Sequence, residues 1–183
     1  MIASLKAGDR AGYREACAAF VSQQGPDPTV VWNTLFAGSL FALGAEGLDD
    51  YRVAMGWLEQ RLSAVPAPPP LYRHIFSSAL GGLLLRAGRV DEAIVRLNEG
   101  ITAGHMEMPS DWAYLALAHA KKGNRAEARR WLDRLGAAGA SSPAHSPATF
   151  RDLQELALLR SEAESLHFDA EFPGDPFQRP GPR

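Results

Sequence analysis

The histidines and the one cysteine are the side chains of this sequence that could ligate a metal ion or act as a base or nucleophile. Five histidines fall on different predicted elements, with no HExxH motif and no pair four residues apart: His74, His105, His119, His145 and His167. Metal sites need ligands that converge at such spacings, so we expect no metal and no cofactor. Cys17 lies among alanines and a phenylalanine, which is typical of a buried apolar residue rather than a reactive thiol.

The carboxylates give no stronger indication of chemistry. Asp49–Asp50 and Asp91–Glu92 stand where predicted helices begin, and there a negative charge complements the helix dipole. Helix capping therefore explains these pairs better than general acid–base catalysis does. No serine lies in a Gly-x-Ser-x-Gly turn, and we predict no catalytic residue and no enzyme activity.

Basic residues are concentrated in one predicted hairpin, and acidic residues in the segment that follows it. With Lys121, the basic side chains leave residues 121–134 with a net charge of +4: Lys122, Arg125, Arg129, Arg130 and Arg134. The segment from Phe150 to Asp175 carries a net charge of −5. Either the acidic helix packs beside the basic hairpin and neutralises it, or the basic edge stays open for an acidic partner or nucleic acid. Only Trp131 is interleaved with these cations, which makes nucleic acid an unlikely partner.

Helical spacing and glycine or proline breaks predict which elements position these residues. We expect hairpins over about 2–24, 29–62, 71–103 and 110–135, followed by a capping helix over 149–166. Residues 63–70, with the sequence SAVPAPPP, read as a stiff polyproline-like connector. Residues 1–167 are expected to form one domain, and residues 168–183 an irregular tail rich in proline and glycine.

Two of the predicted hairpins share one pattern, 35 positions apart. The matched positions are Leu80 and Leu115, Gly88 and Gly123, Ala93 and Ala128, and Leu97 and Leu132. A recurrence of this length with helical spacing in each copy predicts a stack of helical hairpins. Small residues such as Gly81 and Ala93 would let the two helices of one hairpin approach closely.

This pattern resembles the tetratricopeptide repeat (TPR). Trp112-x-x-Leu115-Ala116-x-x-His119, then Gly123 and Ala128-x-x-x-Leu132, follows the spacing of that repeat. The resemblance implies an all-α, right-handed TPR-like solenoid of helical hairpins with a C-terminal capping helix. Over nearly the whole length, the chain also resembles the C-terminal TPR region of planctomycete-type bacterial proteins. In those proteins the region commonly follows a serine/threonine kinase domain or WD-type repeats.

In such repeats the first helix of each hairpin lines a concave groove, and the resemblance transfers this role to particular positions. The groove residues that it implies are Asn33, Arg86, Tyr114 and Lys121, beside mostly small neutral side chains. Chaperone-binding members use Lys and Asn at fixed groove positions to hold a peptide carboxylate. Asn33 alone matches in type, so the groove is expected to receive a helix or extended peptide instead.

The resemblance implies a non-catalytic module that binds a protein or peptide partner, such as a kinase or another bacterial signalling protein. A closed apolar pocket among Trp32, Trp57 and Tyr72 would instead indicate a sensor of a small ligand or regulatory peptide. Binding of nucleic acid or of an acidic partner through the basic hairpin is the other alternative.

The N-terminus lacks a signal-peptide pattern and no window is long enough to span a membrane, so a cytoplasmic location without membrane contact is expected.

Overall fold

The computed structural model describes residues 1–23, 38–64, 66–105, 107–141 and 150–171. The helices are α1 (Ile2–Lys6), α2 (Arg10–Gln23), α3 (helical residues 38–42), α4 (Arg52–Leu62), α5 (Pro70–Arg86), α6 (Val90–Gly104), α7 (Pro109–Lys121), α8 (Arg125–Ser141) and α9 (Phe150–Glu171). These ranges contain no strand, which confirms the all-α fold class for the described residues. None of the described helices is long and apolar enough to cross a membrane. The solenoid path and its handedness stay predictions.

Two glycines one repeat apart make the turns of the α5–α6 and α7–α8 hairpins. Gly88 has a φ of 78° and Gly123 a φ of 75°, in the left-handed region that glycine adopts without a steric cost. Each turn is closed by the same backbone hydrogen bond, from Arg89 N to Leu84 O and from Asn124 N to His119 O, both 2.9 Å. This is the 6→1 bond that satisfies a free carbonyl at the end of a helix. The repeated sequence therefore forms a repeated turn.

Small residues allow the helices of the α5–α6 hairpin to pack closely. A Cβ added at Gly81 would lie 2.6 Å from Leu97 Cγ, and one added at Gly100 would lie 2.8 Å from Ser77 Cβ. Both distances are shorter than real contacts between carbon atoms. The expected role of Gly81 in close packing of this hairpin is therefore confirmed.

Helices α5 and α7 are the centre of the molecule. Every residue from Phe76 to Leu85 on α5 is buried, as is every residue from Ala113 to Ala118 on α7. A helix that is buried on nearly all sides has neighbours all around it. Here those neighbours include α4, α6, α8 and α9, so side chains on α5 and α7 reach solvent chiefly at the helix ends.

Helix α9 runs along the centre of the molecule rather than only beside the last hairpin. It packs against α7 and α8, and it also contacts α1, where the Lys6 ammonium donates a hydrogen bond to Gln154 Oε1. It ends at Glu171, whereas the capping helix was predicted to end at 166 and the tail to begin at 168. One helix therefore connects the last hairpin with the first helix of the chain.

Candidate partner-binding site

Arg86 ends α5, and its guanidinium is the polar centre of a site beneath α9. Its Nε donates to the carbonyl oxygen of Ala42 at 2.7 Å, and its Nη2 donates to that of Leu43 at 2.8 Å. These carbonyls lie at the C-terminal end of α3, where the last turn of a helix leaves acceptors without partners within the helix. Arg86 satisfies two of them, and a cation at that position also complements the helix dipole.

The remaining hydrogen bonds of Arg86 go to Glu162 on α9. Nη1 donates to Oε1 at 2.5 Å and Nη2 donates to Oε2 at 2.7 Å, which makes the pair bidentate. The Arg86 side chain is 1% exposed and that of Glu162 is 29% exposed. Burial alone would lower the pKa of Arg86, but the hydrogen bonds and charge of Glu162 outweigh it and raise the pKa above its ordinary value. The guanidinium is thus charged, buried and neutralised by α9.

Tyr114 on α7 forms the wall of the site next to Arg86. A Cβ added at Gly82 would lie 2.9 Å from Tyr114 Cζ and 2.8 Å from Ala42 Cβ, so the ring fills the space that Gly82 leaves open. The ring is buried. Burial raises the pKa of the Tyr114 hydroxyl, and the positive charge of Arg86 opposes that change only in part.

Helix α9 supplies an apolar stripe beside Glu162. Leu159 and Ala163 are buried, and Leu156 is partly buried against the core. Arg160 and Ser161 are exposed on the other side of the helix. Spacings of three and four residues place the apolar side chains on one face. We call the arrangement of Arg86, Tyr114, Leu159, Glu162 and Ala163 the α9 site.

The structure corrects the prediction that Arg86 and Tyr114 line an open groove. Both side chains belong to one site, which α9 covers. Lys121 occupies on α7 the position that Arg86 occupies on α5, and it is exposed. Asn33 lies outside the described residues.

Four cations of the basic hairpin pair with acids that lie outside α9. These cations pair with acids of the same hairpin or of neighbouring turns: Arg129 with Asp133, Arg130 with Glu127, Lys122 with Asp91, and Arg134 with Glu107. Arg125 is exposed and also has an interaction partner. On α9, Glu162 pairs with Arg86, and Glu164 with Arg160 of its own helix. These four pairs do not involve α9, although α9 packs against both helices of the hairpin. Neutralisation of the hairpin by the acidic helix and an open basic edge both stay predictions.

Arg134 also belongs to an aromatic cluster that the charge pattern did not reveal. Its guanidinium carbon lies 5.2 Å from the ring centre of Trp112 and 5.6 Å from that of Trp131. Glu107 accepts hydrogen bonds from Trp112 Nε1 at 2.8 Å and from Arg134 at 2.6 Å. Cation–π contacts of this kind explain why the two tryptophans and the arginine lie together. The cluster holds Arg134 against the protein.

A second buried polar pair joins the two repeats, and sequence reasoning missed it. His74 Nε2 lies 2.8 Å from Asp111 Oδ2, and both side chains are at most 1% exposed. Asp111 Oδ2 also accepts the N–H of Met108 at 2.7 Å, which caps α7. No group of three metal-ligating side chains converges here or elsewhere among the described residues. The pair fastens α5 to α7.

Trp32 lies outside the described residues, so the closed apolar pocket expected among Trp32, Trp57 and Tyr72 is not defined. An open depression of about 250 Å³ lies between α4 and α6 instead. Leu80 and Leu84 contribute to its lining, together with charged side chains that include Glu59 and Arg89. The depression differs from the closed apolar site that would indicate a small-ligand sensor.

In comparisons with known proteins, no family model, no curated protein and no solved structure matches the chain. The likeness to tetratricopeptide repeats therefore rests on the repeat residues themselves.

Proposed function

We propose that the chain is a non-catalytic protein-interaction module that receives a helix of a protein partner at the α9 site. The observation that carries this proposal is that a helix, α9, is seated there and pairs its carboxylate with the buried Arg86. A face that buries the leucine and alanine of one helix and neutralises its glutamate has the shape and charge to take such a helix. The repeat residues resemble those of TPR regions in bacterial signalling proteins, so we expect the partner to be a cytoplasmic signalling protein.

The three lysines of the chain provide a test that does not require the partner to be known. Lys6 touches α9 at Gln154, and Lys121 ends the helix that carries Tyr114. Lys122 instead pairs with Asp91. The chain of 183 residues would be crosslinked through its lysines in bacterial cells, and the joined peptides identified by mass spectrometry. We expect partner crosslinks at Lys6 and Lys121.

A charge reversal at Lys121 with a matched control at Lys122 sharpens the test. Lys121→Glu should reduce capture of the crosslinked partner severalfold, because it places a negative charge at the end of α7 next to an acidic ligand helix. Lys122→Glu should leave capture unchanged. Equal capture by both variants, or partner crosslinks at Lys122 alone, would rule out the α9 site as the binding face. Circular dichroism would verify that both variants keep their helical content.

A further inference from the structure

We infer that α9 is a built-in competitor for the partner, and that the partner is an amphipathic helix that reproduces three features of α9. These are a carboxylate opposite Arg86, a leucine three residues before it and a small residue directly after it, as in Leu159, Glu162 and Ala163. The inference rests on the proposed function and specifies the chemistry and regulation of the same site.

The half of the site that remains when α9 leaves is prepared for a carboxylate. The carbonyl oxygens of Ala42 and Leu43 hold the Arg86 guanidinium from one side, independently of α9. One N–H of Nη1 and one of Nη2 donate to the two carboxylate oxygens of Glu162. A ligand that covers this cation again without supplying an anion would leave it buried and unpaired, which is costly, so the site favours a ligand that brings one. A planar guanidinium also favours a carboxylate that binds with both oxygens.

The contacts of α9 are consistent with a helix that can be released. Glu162 is partly exposed and can be hydrated when its pair opens. The hydrogen bond between Lys6 and Gln154 is exposed, and so are Arg160, Ser161 and Leu166 along the helix. Because its outer face is in water, α9 is expected to open more readily than α5 and α7, although it buries Leu159 and Ala163. By contrast, α5 and α7 are buried on nearly all sides and would remain in place.

Competition has a quantitative consequence for binding. While α9 occupies the site, the apparent dissociation constant of a partner equals its intrinsic value divided by the fraction of molecules with α9 released. A substitution that increases this fraction by about tenfold therefore improves the apparent affinity of a partner by about tenfold. Glu162→Gln is that substitution, because it removes the charge on α9 and leaves Arg86 intact.

The test compares Glu162→Gln with Glu164→Gln in the full-length chain. Glu164 lies on the same helix but pairs with Arg160, also on α9, and therefore serves as the matched control. Hydrogen–deuterium exchange would be measured by mass spectrometry. We expect exchange in α9 to accelerate at least about fivefold in Glu162→Gln and to change less than about twofold in Glu164→Gln. Exchange in α5–α8 should stay slow in both, which distinguishes release of α9 from loss of the fold.

A fluorescein-labelled peptide with the sequence of residues 150–171 then serves as the competing helix. Fluorescence anisotropy should give a dissociation constant about tenfold lower for Glu162→Gln than for the unmodified chain or for Glu164→Gln. The same peptide with Glu162→Lys should bind at least about tenfold more weakly, because it faces Arg86 with a like charge. Unchanged exchange in α9, or equal binding of the two peptides, would overturn the inference.

The two proposals fail in different ways. If the peptide binds as expected but every cellular partner crosslinks away from Lys6 and Lys121, and is still captured when the peptide is added before the crosslinker, α9 is displaceable and the proposed function at this site is wrong. If a partner crosslinks at Lys6 and Lys121 but neither Glu162→Gln nor the peptide alters its capture, the module binds partners without competition from α9. That result would overturn the inference alone.

Discussion

His74–Asp111 and Arg86–Glu162 are acid–base pairs that each fasten a central helix to a neighbour, but they differ in their access to water. His74 and Asp111 are both enclosed where α5 meets α7. Arg86 is equally enclosed, whereas nearly a third of the Glu162 side chain reaches solvent. An enclosed pair that is broken leaves its remaining member without water, while a pair with one exposed member can open and be rehydrated. We therefore expect the His74–Asp111 pair to hold α5 against α7 throughout, and the Arg86–Glu162 pair to open when α9 leaves.

The largest effect is expected from Asp111→Ala. It removes the partner of His74 and the acceptor for the N–H of Met108, and it leaves a cavity between the repeats. Breaking an enclosed pair in this way costs about 3–5 kcal/mol of unfolding free energy. Urea denaturation followed by circular dichroism would measure it. A loss below about 1 kcal/mol would mean that the pair contributes no more than an exposed one.

A smaller loss is expected from Arg86→Met. Methionine keeps much of the side-chain volume but leaves the carbonyls of Ala42 and Leu43 without their donor. Glu162 can turn to water, so the cost should be about 2–3 kcal/mol rather than the full cost of an enclosed pair. The same urea titration would give this value. A loss of unfolding free energy larger than that of Asp111→Ala would mean that Arg86–Glu162, and not His74–Asp111, is the more stabilising pair.

Glu162→Gln changes the other member of the Arg86–Glu162 pair and should lower the unfolding free energy by less than Arg86→Met does. The amide oxygen can still accept one hydrogen bond from Arg86, so the loss should be about 1–2 kcal/mol. Glu92→Gln provides the exposed reference and should cost less, because Glu92 pairs with Arg89 at the surface, where ion pairs contribute little to stability. Equal losses of unfolding free energy for Glu162→Gln and Glu92→Gln in urea titrations would show that the Arg86–Glu162 pair stabilises the fold no more than an exposed pair does.

The smallest effect concerns pH and His119, a residue of α7 outside both pairs. Partial burial lowers the pKa of His119 below its ordinary value of 6.5. The folded state then binds this proton more weakly than the unfolded state does. The contribution of His119 to stability is therefore complete above about pH 6.5 and is lost as the pH falls toward the folded-state pKa. His119→Gln should reduce the loss of melting temperature between pH 7 and pH 5.5. An unchanged loss would assign the acid sensitivity to other groups.

The sequence predicted the helices and turns that carry the two acid–base pairs, but not which residues pair. The helices and the turns at Gly88 and Gly123 follow from local spacing and local backbone preference, so they were predictable. His74 and Asp111 are 37 positions apart, which departs from the period of 35, and no local pattern links them. The pair forms only because two packed helices bring its members together.

The burial of residues at the α9 site was also not predictable from the repeat pattern. Arg86 and Lys121 are equivalent by the repeat, and sequence analysis assigned both to an open groove. One is buried and the other exposed, because only Arg86 meets the end of α3 and Glu162. The periodicity of α9 predicts a helix with one apolar face, but not which surface that face will cover. Where a helix packs is a property of the whole fold.

The contact between α1 and α9 leads to a prediction about the order in which the helices form. Lys6 and Gln154 lie 148 positions apart, whereas the two hairpins α5–α6 and α7–α8 are joined by turns of a few residues. Bringing distant segments together costs loop-closure entropy before any contact is gained, so local hairpins form first. We expect the repeats to collapse early and α9 to close over them last. The helix proposed to leave the site in the native protein would thus also be the last to reach it during folding.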